Sequence, residues 1–413
     1  MKILVSAYAC EPNKGSEPAV GWNWTKNLSQ RHKVFVITRE NNKKNIESVF
    51  NNENIQFYYY DLPKIFKKLK AKTGFTLIYY YLWQLGAYKI AKEISRKEKI
   101  DLAHHVTFAN FKIFSYLAFL NMPFVYGPVG GGERAPKAMY RRFSVKHRLK
   151  EIARDLDIYI SRFNILTLYT WYKADKILVT TEETLSKIPK KFRAKAEVAQ
   201  TIGIEENFIN SLCQNEAENN KEIEIGYVGN LLEWKGIDIL IDSFNIYLKE
   251  YNESAILTIV GDGPGKLNII KKIKNYGIEK NINFVGKVNR IETIDLYKRF
   301  NTFVFPSLHD SGGMVVLEAM ACSVPVIVLN LGGPGNNVKY GCGVKVDFTN
   351  YENVINEIAF NINKLNSDSG FRNEIIYNSQ KHIRKFLWNK KVNDIEKIYI
   401  EVINNKKLSK HIG

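Results

Sequence analysis

The feature that most constrains this chain is a repeated alternation of short apolar runs with longer stretches of helical pattern. In the first half the runs cover residues 2–8, 34–38, 56–60, 100–106, 123–127 and 176–180. In the second half they cover 223–229, 255–261, 281–285, 301–305, 324–329 and 343–346. They are rich in β-branched and aromatic residues and do not alternate strictly with polar ones, which predicts parallel strands buried on both faces. Two successive series predict an α/β chain of two doubly wound, Rossmann-like domains. A last strand-like run at 197–201 gives way to Ile204-Glu205-Glu206-Asn207 and a polar stretch at 214–221, placing the seam within 203–222. The expected division is 1–205, 206–388 and 389–413, the last a helix packing back on the first domain. A terminal helix pair is expected near 371–386 and 389–404. The two sheets are expected to face a central cleft at their strand C-termini, where open α/β sheets bind ligands.

At 413 residues and 45% hydrophobic content the chain can bury a core in each half. The 4 cysteines (Cys10, Cys213, Cys322 and Cys342) are scattered without metal-ligand spacing, as expected of reduced thiols in a cytoplasmic protein. The apolar start ends at Glu11-Pro12-Asn13, too short for a secretory signal, and no run is long enough to span a membrane. The net charge of +18, from 60 basic and 42 acidic residues, calls for an anionic partner. No RNA- or DNA-binding motif accompanies it, so a nucleic-acid partner is not expected.

The chemistry is expected in the loops at strand ends. At Phe305-Pro306-Ser307-Leu308-His309-Asp310-Ser311-Gly312-Gly313-Met314 a strand gives way to a glycine-containing loop and then a helix. Backbone N–H groups of Ser311, Gly312, Gly313 and Met314 at such a helix start suit a diphosphate. Glu318, about one turn in, is placed to accept from a ribose diol, and Asp310 at the loop entrance to hold sugar hydroxyls. Between Asp310 and Glu318 lies the spacing of the E-x7-E motif, with Ala319-Met320-Ala321 following. The segment resembles that motif in the retaining GT-B glycosyltransferases of family 4, with Asp where the family usually has Glu.

The resemblance continues through Gly226-Tyr227-Val228-Gly229-Asn230 and Glu233-Trp234-Lys235-Gly236, where it implies that Lys235 neutralises the donor diphosphate. Asn230 stands where relatives often carry Arg. Gly261-Asp262-Gly263-Pro264 and Gly286-Lys287-Val288 resemble further strand-end turns, which adds Gly263 and Val288 to the expected donor contacts. In the first half, Gly15-Ser16 follows the first strand and is similar to the family turn facing the donor phosphates. A family histidine near the reacting carbon falls at His104 or His105, which alternation sends opposite ways; we place it at His105. Gly130-Gly131-Gly132-Glu133 resembles a loop of a surface-polysaccharide subgroup, and Gly131, Gly132 and Glu133 are expected acceptor or sugar contacts.

The resemblance thus implies transfer of a sugar from a nucleotide-diphosphate donor to a saccharide acceptor with retention, the catalytic set being His105, Lys235, Asp310 and Glu318. No cofactor and no metal are expected. Asp155-Leu156-Asp157 has the form of a metal-binding DxD, yet it lies in a helical, basic stretch. Basic clusters interleaved with apolar residues, at 64–72 and 141–150, point to an anionic membrane surface and a lipid-linked acceptor. A nucleotide-sugar 2-epimerase of the same fold, or an inactive binding protein, are the rival readings.

Overall fold

The computed structural model describes residues 1–49, 52–73, 76–206, 209 and 222–412. It divides into two compact units. The first comprises Met1–Gly132, Asp157–Thr201 and Trp388–Gly413; the second comprises Glu133–Leu156 and Ile202–Leu387.

The first unit is built on a 7-stranded sheet of order β3-β2-β1-β4-β5-β6-β7. Its strands are β1 (Lys2–Ala7), β2 (Lys33–Arg39), β3 (Ile55–Tyr60), β4 (Leu102–Thr107), β5 (Phe124–Val129), β6 (Lys176–Val179) and β7 (Ala196–Val198). Every pairing is parallel, with Ser6 of β1 opposite His105 of β4. The six residues of β4 and of β5 are all buried, which is why these runs lack a polar face. Helix Thr76–Lys97 contributes Tyr79, Tyr80, Trp83 and Ala87 to one core cluster with Phe35, Tyr126 and Trp171. Tyr8, at the end of β1, meets the rings of Tyr80 and Trp83 edge-on at 4.9 and 5.0 Å.

The second unit has a 6-stranded sheet of order β10-β9-β8-β11-β12-β13. These strands are β8 (Glu224–Val228), β9 (Ile256–Val260), β10 (Ile282–Gly286), β11 (Thr302–Phe305), β12 (Val326–Leu329) and β13 (Val344–Val346). They too are parallel throughout. In both sheets the order reverses between the first and fourth strands, at β1/β4 and at β8/β11. Loops leaving such a pair at their carboxyl ends diverge and leave room for a ligand. All the runs read from the sequence are strands of these two sheets.

The terminal helices are Ser369–Ile383, extended by a tighter turn at Arg384–Phe386, and Trp388–Ile412. The helix Trp388–Ile412 groups with the first unit, where Tyr399 Oη meets His104 Nδ1 at 2.6 Å. The structural division differs from 1–205 and 206–388. Its seam lies at Thr201/Ile202, and Glu133–Leu156 belongs with the second unit. The physical reason is a set of bonds made by that segment: Ser144 N–H donates to Glu233 at 2.8 Å, and Ser311 Oγ donates to Glu133 at 3.0 Å. The polar stretch at 214–221, and Cys213 with it, lies outside the described residues, as do the side chains of Lys70 and Lys72. Cys10 and Cys322 are buried, and Cys342 is half-buried. No helix among the described residues is long and apolar enough to cross a membrane.

Candidate active site

In the second unit the two loops at the strand reversal bring Lys235 and Asp310 together. Lys235 ends a short turn after β8, and Gly236 follows in the left-handed region at φ 74°. A Cβ at Gly236 would sit 1.9 Å from the Pro306 carbonyl oxygen, so only glycine lets this turn lie against the loop after β11. The result is an ion pair between Lys235 Nζ and Asp310 Oδ2, with the side chains 14% and 19% exposed. Lys235 Nζ also lies 4.2 Å from the centre of the Trp234 ring and 5.2 Å from that of Phe305. The other Asp310 oxygen accepts from the Gly312 N–H at 3.1 Å, which curls the loop toward its helix.

That helix, Met314–Ala321, starts after Gly313 at φ 73°, where a Cβ would come 2.9 Å from Pro334. Asn337 Nδ2 donates to the Gly312 carbonyl at 2.6 Å and fixes the turn from behind. Glu318 lies mid-helix, its side chain 13% exposed and paired with Arg290 Nη2 at 3.4 Å. Burial raises its pKa, while the Arg290 charge and the Tyr297 hydroxyl act in the opposite direction. Lys235, Asp310, Ser311, Gly312, Gly313, Met314 and Glu318 are thus gathered at one end of one sheet. Asn230 is exposed in the loop after β8, where the Tyr227 hydroxyl donates to its carbonyl at 3.3 Å. Gly263 packs against the same loop: a Cβ there would meet the Leu231 carbonyl oxygen at 2.7 Å. Val288 is half-buried beyond β10.

Beside this loop sits a cluster the sequence did not assemble. Helix Val145–Ile160 carries His147 and Glu151 one turn apart, and Glu151 Oε1 accepts from His309 Nε2 at 3.1 Å. The Trp234 ring stacks on His309 with centroids 4.6 Å apart and planes 13° from parallel. Burial pushes Glu151 up, but the His309 hydrogen bond and nearby positive charges outweigh it, so its pKa is lowered. The pKa of His147 is lowered by burial.

In the first unit, Gly15 precedes helix Ser16–Leu28, Ser16 has φ 59°, and no atom lies within 4 Å of a Cβ built on Gly15. Both histidines of β4 are wholly buried. His105 Nδ1 meets Ser115 Oγ at 3.0 Å and its Nε2 meets the Phe108 carbonyl at 3.3 Å. His104 has the Tyr399 hydroxyl on Nδ1 and the Gly127 carbonyl on Nε2 at 2.5 Å. Burial lowers both to about 4, so both rings are neutral near pH 7. Gly131 lies beside the Asn110 side chain, and Gly132 donates to Thr184 Oγ1 at 3.1 Å. Glu133 belongs to the second unit, where it is buried against Ser311 and its carbonyl accepts from Arg154 at 2.9 Å.

The Asp155-Leu156-Asp157 triplet is committed elsewhere. Asp155 pairs with Arg134 Nε at 2.9 Å and accepts from Tyr140 at 3.0 Å, while Asp157 pairs with Lys112. The sequence reading missed Arg290, although Asn289 and Glu292 form a capping box that marks Arg290 as the first residue of helix Arg290–Arg299.

Residues 209–382 match the family model described as glycosyl transferases group 1. Over 324 residues, 77% of this chain and 80% of the relative, the sequence is 27% identical to an uncharacterized glycosyltransferase of Methanocaldococcus jannaschii. The capsular polysaccharide biosynthesis glycosyltransferase CapM of Staphylococcus aureus is 33% identical over 165 residues, 40% of this chain and 42% of that protein. The crystal structure of Anabaena HepE in complex with UDP matches over 97% of this chain and 100% of that one, with TM-score 0.63 at 17% identity, which is a likeness of fold. The fold is therefore GT-B, two Rossmann-like parallel-sheet units, and the chain is a glycosyltransferase with its group 1 domain at residues 209–382.

Proposed function

We propose that this enzyme transfers a sugar from a nucleoside-diphosphate donor to a saccharide acceptor, with retention, in surface-polysaccharide synthesis. The observation that carries the reading is the Lys235–Asp310 ion pair beside the start of helix Met314–Ala321. A diphosphate at that helix start takes Lys235 as its counter-ion, and Asp310, released from the lysine, turns to the sugar hydroxyls. Glu318, held by Arg290, accepts from the ribose diol. The resemblance to the retaining family implies front-face attack, with the departing phosphate drawing the acceptor proton. Lys235 and the helix-start amides stabilise the charge that develops on that phosphate, with no metal in this step. His105 acts indirectly in this reading, holding the loop after β4 through the Phe108 carbonyl. Gly15 and Ser16 approach the donor phosphates, and Gly131 and Gly132 the acceptor. The UDP bound by HepE and the capsule role in the name of CapM support a uridine donor and a polysaccharide product.

The acceptor is lipid-linked in this reading, and the enzyme works on the inner face of the membrane. Its support is the helix Val145–Ile160, whose Val145, Leu149, Ile152, Leu156 and Tyr159 are exposed at helical spacing between Lys146, Arg148 and Lys150. Co-sedimentation with anionic vesicles at low salt tests it; recovery of the protein in the supernatant rejects it.

The central test incubates the enzyme with a panel of nucleotide sugars, with and without saccharide acceptors, and follows the anomeric proton by NMR. Retained configuration in an acceptor-dependent product supports the reading. A 2-epimerised nucleotide sugar formed without acceptor replaces it by the epimerase, and no turnover of any donor by a protein that binds them marks an inactive binder.

A further inference from the structure

We propose that His147, Glu151 and His309 hold one zinc ion beside the donor loop. Their ligand atoms all lie within 4.8 Å of one another. Glu151 Oε1 is 3.1 Å from His309 Nε2 and 3.6 Å from His147 Nε2. Ligands about 2.0–2.2 Å from a tetrahedral zinc stand roughly 3.3–3.6 Å apart, so the three converge with small rotations of their side chains. His147 and Glu151 are four apart on helix Val145–Ile160 and share one face, the spacing that lets a helix chelate.

Hydrogen bonding alone leaves this cluster incomplete. Glu151 Oε2 and His147 Nε2 are buried and have no hydrogen-bond partner, and the Glu151 side chain is only 5% exposed. A buried carboxylate oxygen left without a donor is costly, and a cation among these atoms removes that cost. Coordination replaces the His309–Glu151 hydrogen bond, with each imidazole bound through Nε2 and protonated on Nδ1.

The surroundings hold the ligands in place. Trp234 stacks on His309, and Ser144, just before the helix, donates through both N–H and Oγ to Glu233. The Arg154 guanidinium, whose charge also acts on Glu151, donates to the Glu133 carbonyl at 2.9 Å. Two imidazoles and a carboxylate suit zinc, and the same donors serve non-haem iron where coordination positions open to oxygen. Here the side chains are 14%, 5% and 6% exposed, which makes an enclosed site in which water fills the fourth position of a tetrahedral zinc. Since His309 directly precedes Asp310, the ion fastens helix Val145–Ile160 to the donor loop.

The test uses the full-length enzyme, stripped with a chelator, dialysed and titrated with zinc chloride, with magnesium chloride as control. The expected result is about one zinc per chain by elemental analysis, a higher Tm with zinc and no change with magnesium. His147→Ala and Glu151→Gln should each weaken zinc affinity by about 100-fold or more, beyond the usual effect of an outer partner. Circular dichroism of the metal-free variants checks that both fold, and Glu151→Gln keeps the shape of the side chain it replaces. A wild-type chain that takes up no zinc, or takes up iron in its place, overturns the proposal. So does zinc binding unchanged in both variants.

Discussion

The two units carry the same strand-order reversal, yet they use polar residues at it in opposite ways. In the second unit Lys235, Asp310 and Glu318 are partly exposed and paired with side chains of opposite charge. In the first, His104 and His105 are wholly buried, and their ring nitrogens are taken by backbone carbonyls and hydroxyls. An ion pair at a surface can exchange one partner for a ligand at small cost, because water and the ligand share the solvation. A buried, doubly bonded imidazole cannot. One reversal is therefore built to trade partners, and the other to hold two loops still.

The largest test of that contrast is Lys235→Ala. If the lysine stabilises the leaving phosphate, kcat/KM for the donor should fall by about 10²–10³-fold, with Tm little changed. A fall in Tm with turnover intact would place Lys235 among the structural residues and break the comparison. Next in size is the acid stability of the first unit. Both histidines have folded-state pKa values lowered to about 4. A depressed pKa contributes stability that is full above the ordinary histidine value and lost as pH falls through the folded one. Between about pH 6.5 and 4 the first unit should lose roughly 2–3 kcal/mol for each imidazole, read from denaturant midpoints across that range. Replacing His104 by Phe should flatten its share.

A smaller effect is expected at Glu318. Substitution by Gln should raise the donor KM by about tenfold, as one charged hydrogen-bond acceptor is lost. Because burial raises its pKa, donor affinity should begin to fall at a higher pH than an ordinary carboxylate would give, and Glu318→Gln should remove that acid limb. On stability the sign is reversed. The folded chain holds the Glu318 proton more tightly than the unfolded one, so this stability is full at acid pH and lost as pH rises through the folded pKa. Binding curves and melting curves measured over one pH series separate the two.

What was legible in the sequence followed from local rules. Strands buried on both faces announce themselves as short apolar runs, and each run coincides with a strand of the two sheets. Lys235 and Asp310 were legible as loop residues after two strands, but their contact depends on which strands are neighbours, which the sheet order alone decides. The pairing of Arg290 with Glu318 escaped because a helix and a strand separate the two in the chain. His309 and Glu151 are 158 residues apart, so neither periodicity nor spacing could join them. His105 was expected beside the reacting carbon, but its ring is wholly buried and bonded to Ser115 and the Phe108 carbonyl. Its burial depends on Ser115 and the turn at Phe108, which carry no pattern of their own.

The excursion Glu133–Leu156 has a consequence for how such enzymes can be recombined. A chimera cut once at Thr201, exchanging halves between relatives, would bring in a foreign Glu133–Leu156 along with the first half. Ser144, Glu151 and Glu133 would then be inherited from one parent, and Glu233, His309 and Ser311 from the other. The exchangeable module is discontinuous: Glu133–Leu156 must travel with Ile202–Leu387, and the helix Trp388–Ile412 must stay behind with the first unit. Donor specificity should therefore pass between relatives by a four-cut graft and fail to pass by a single crossover.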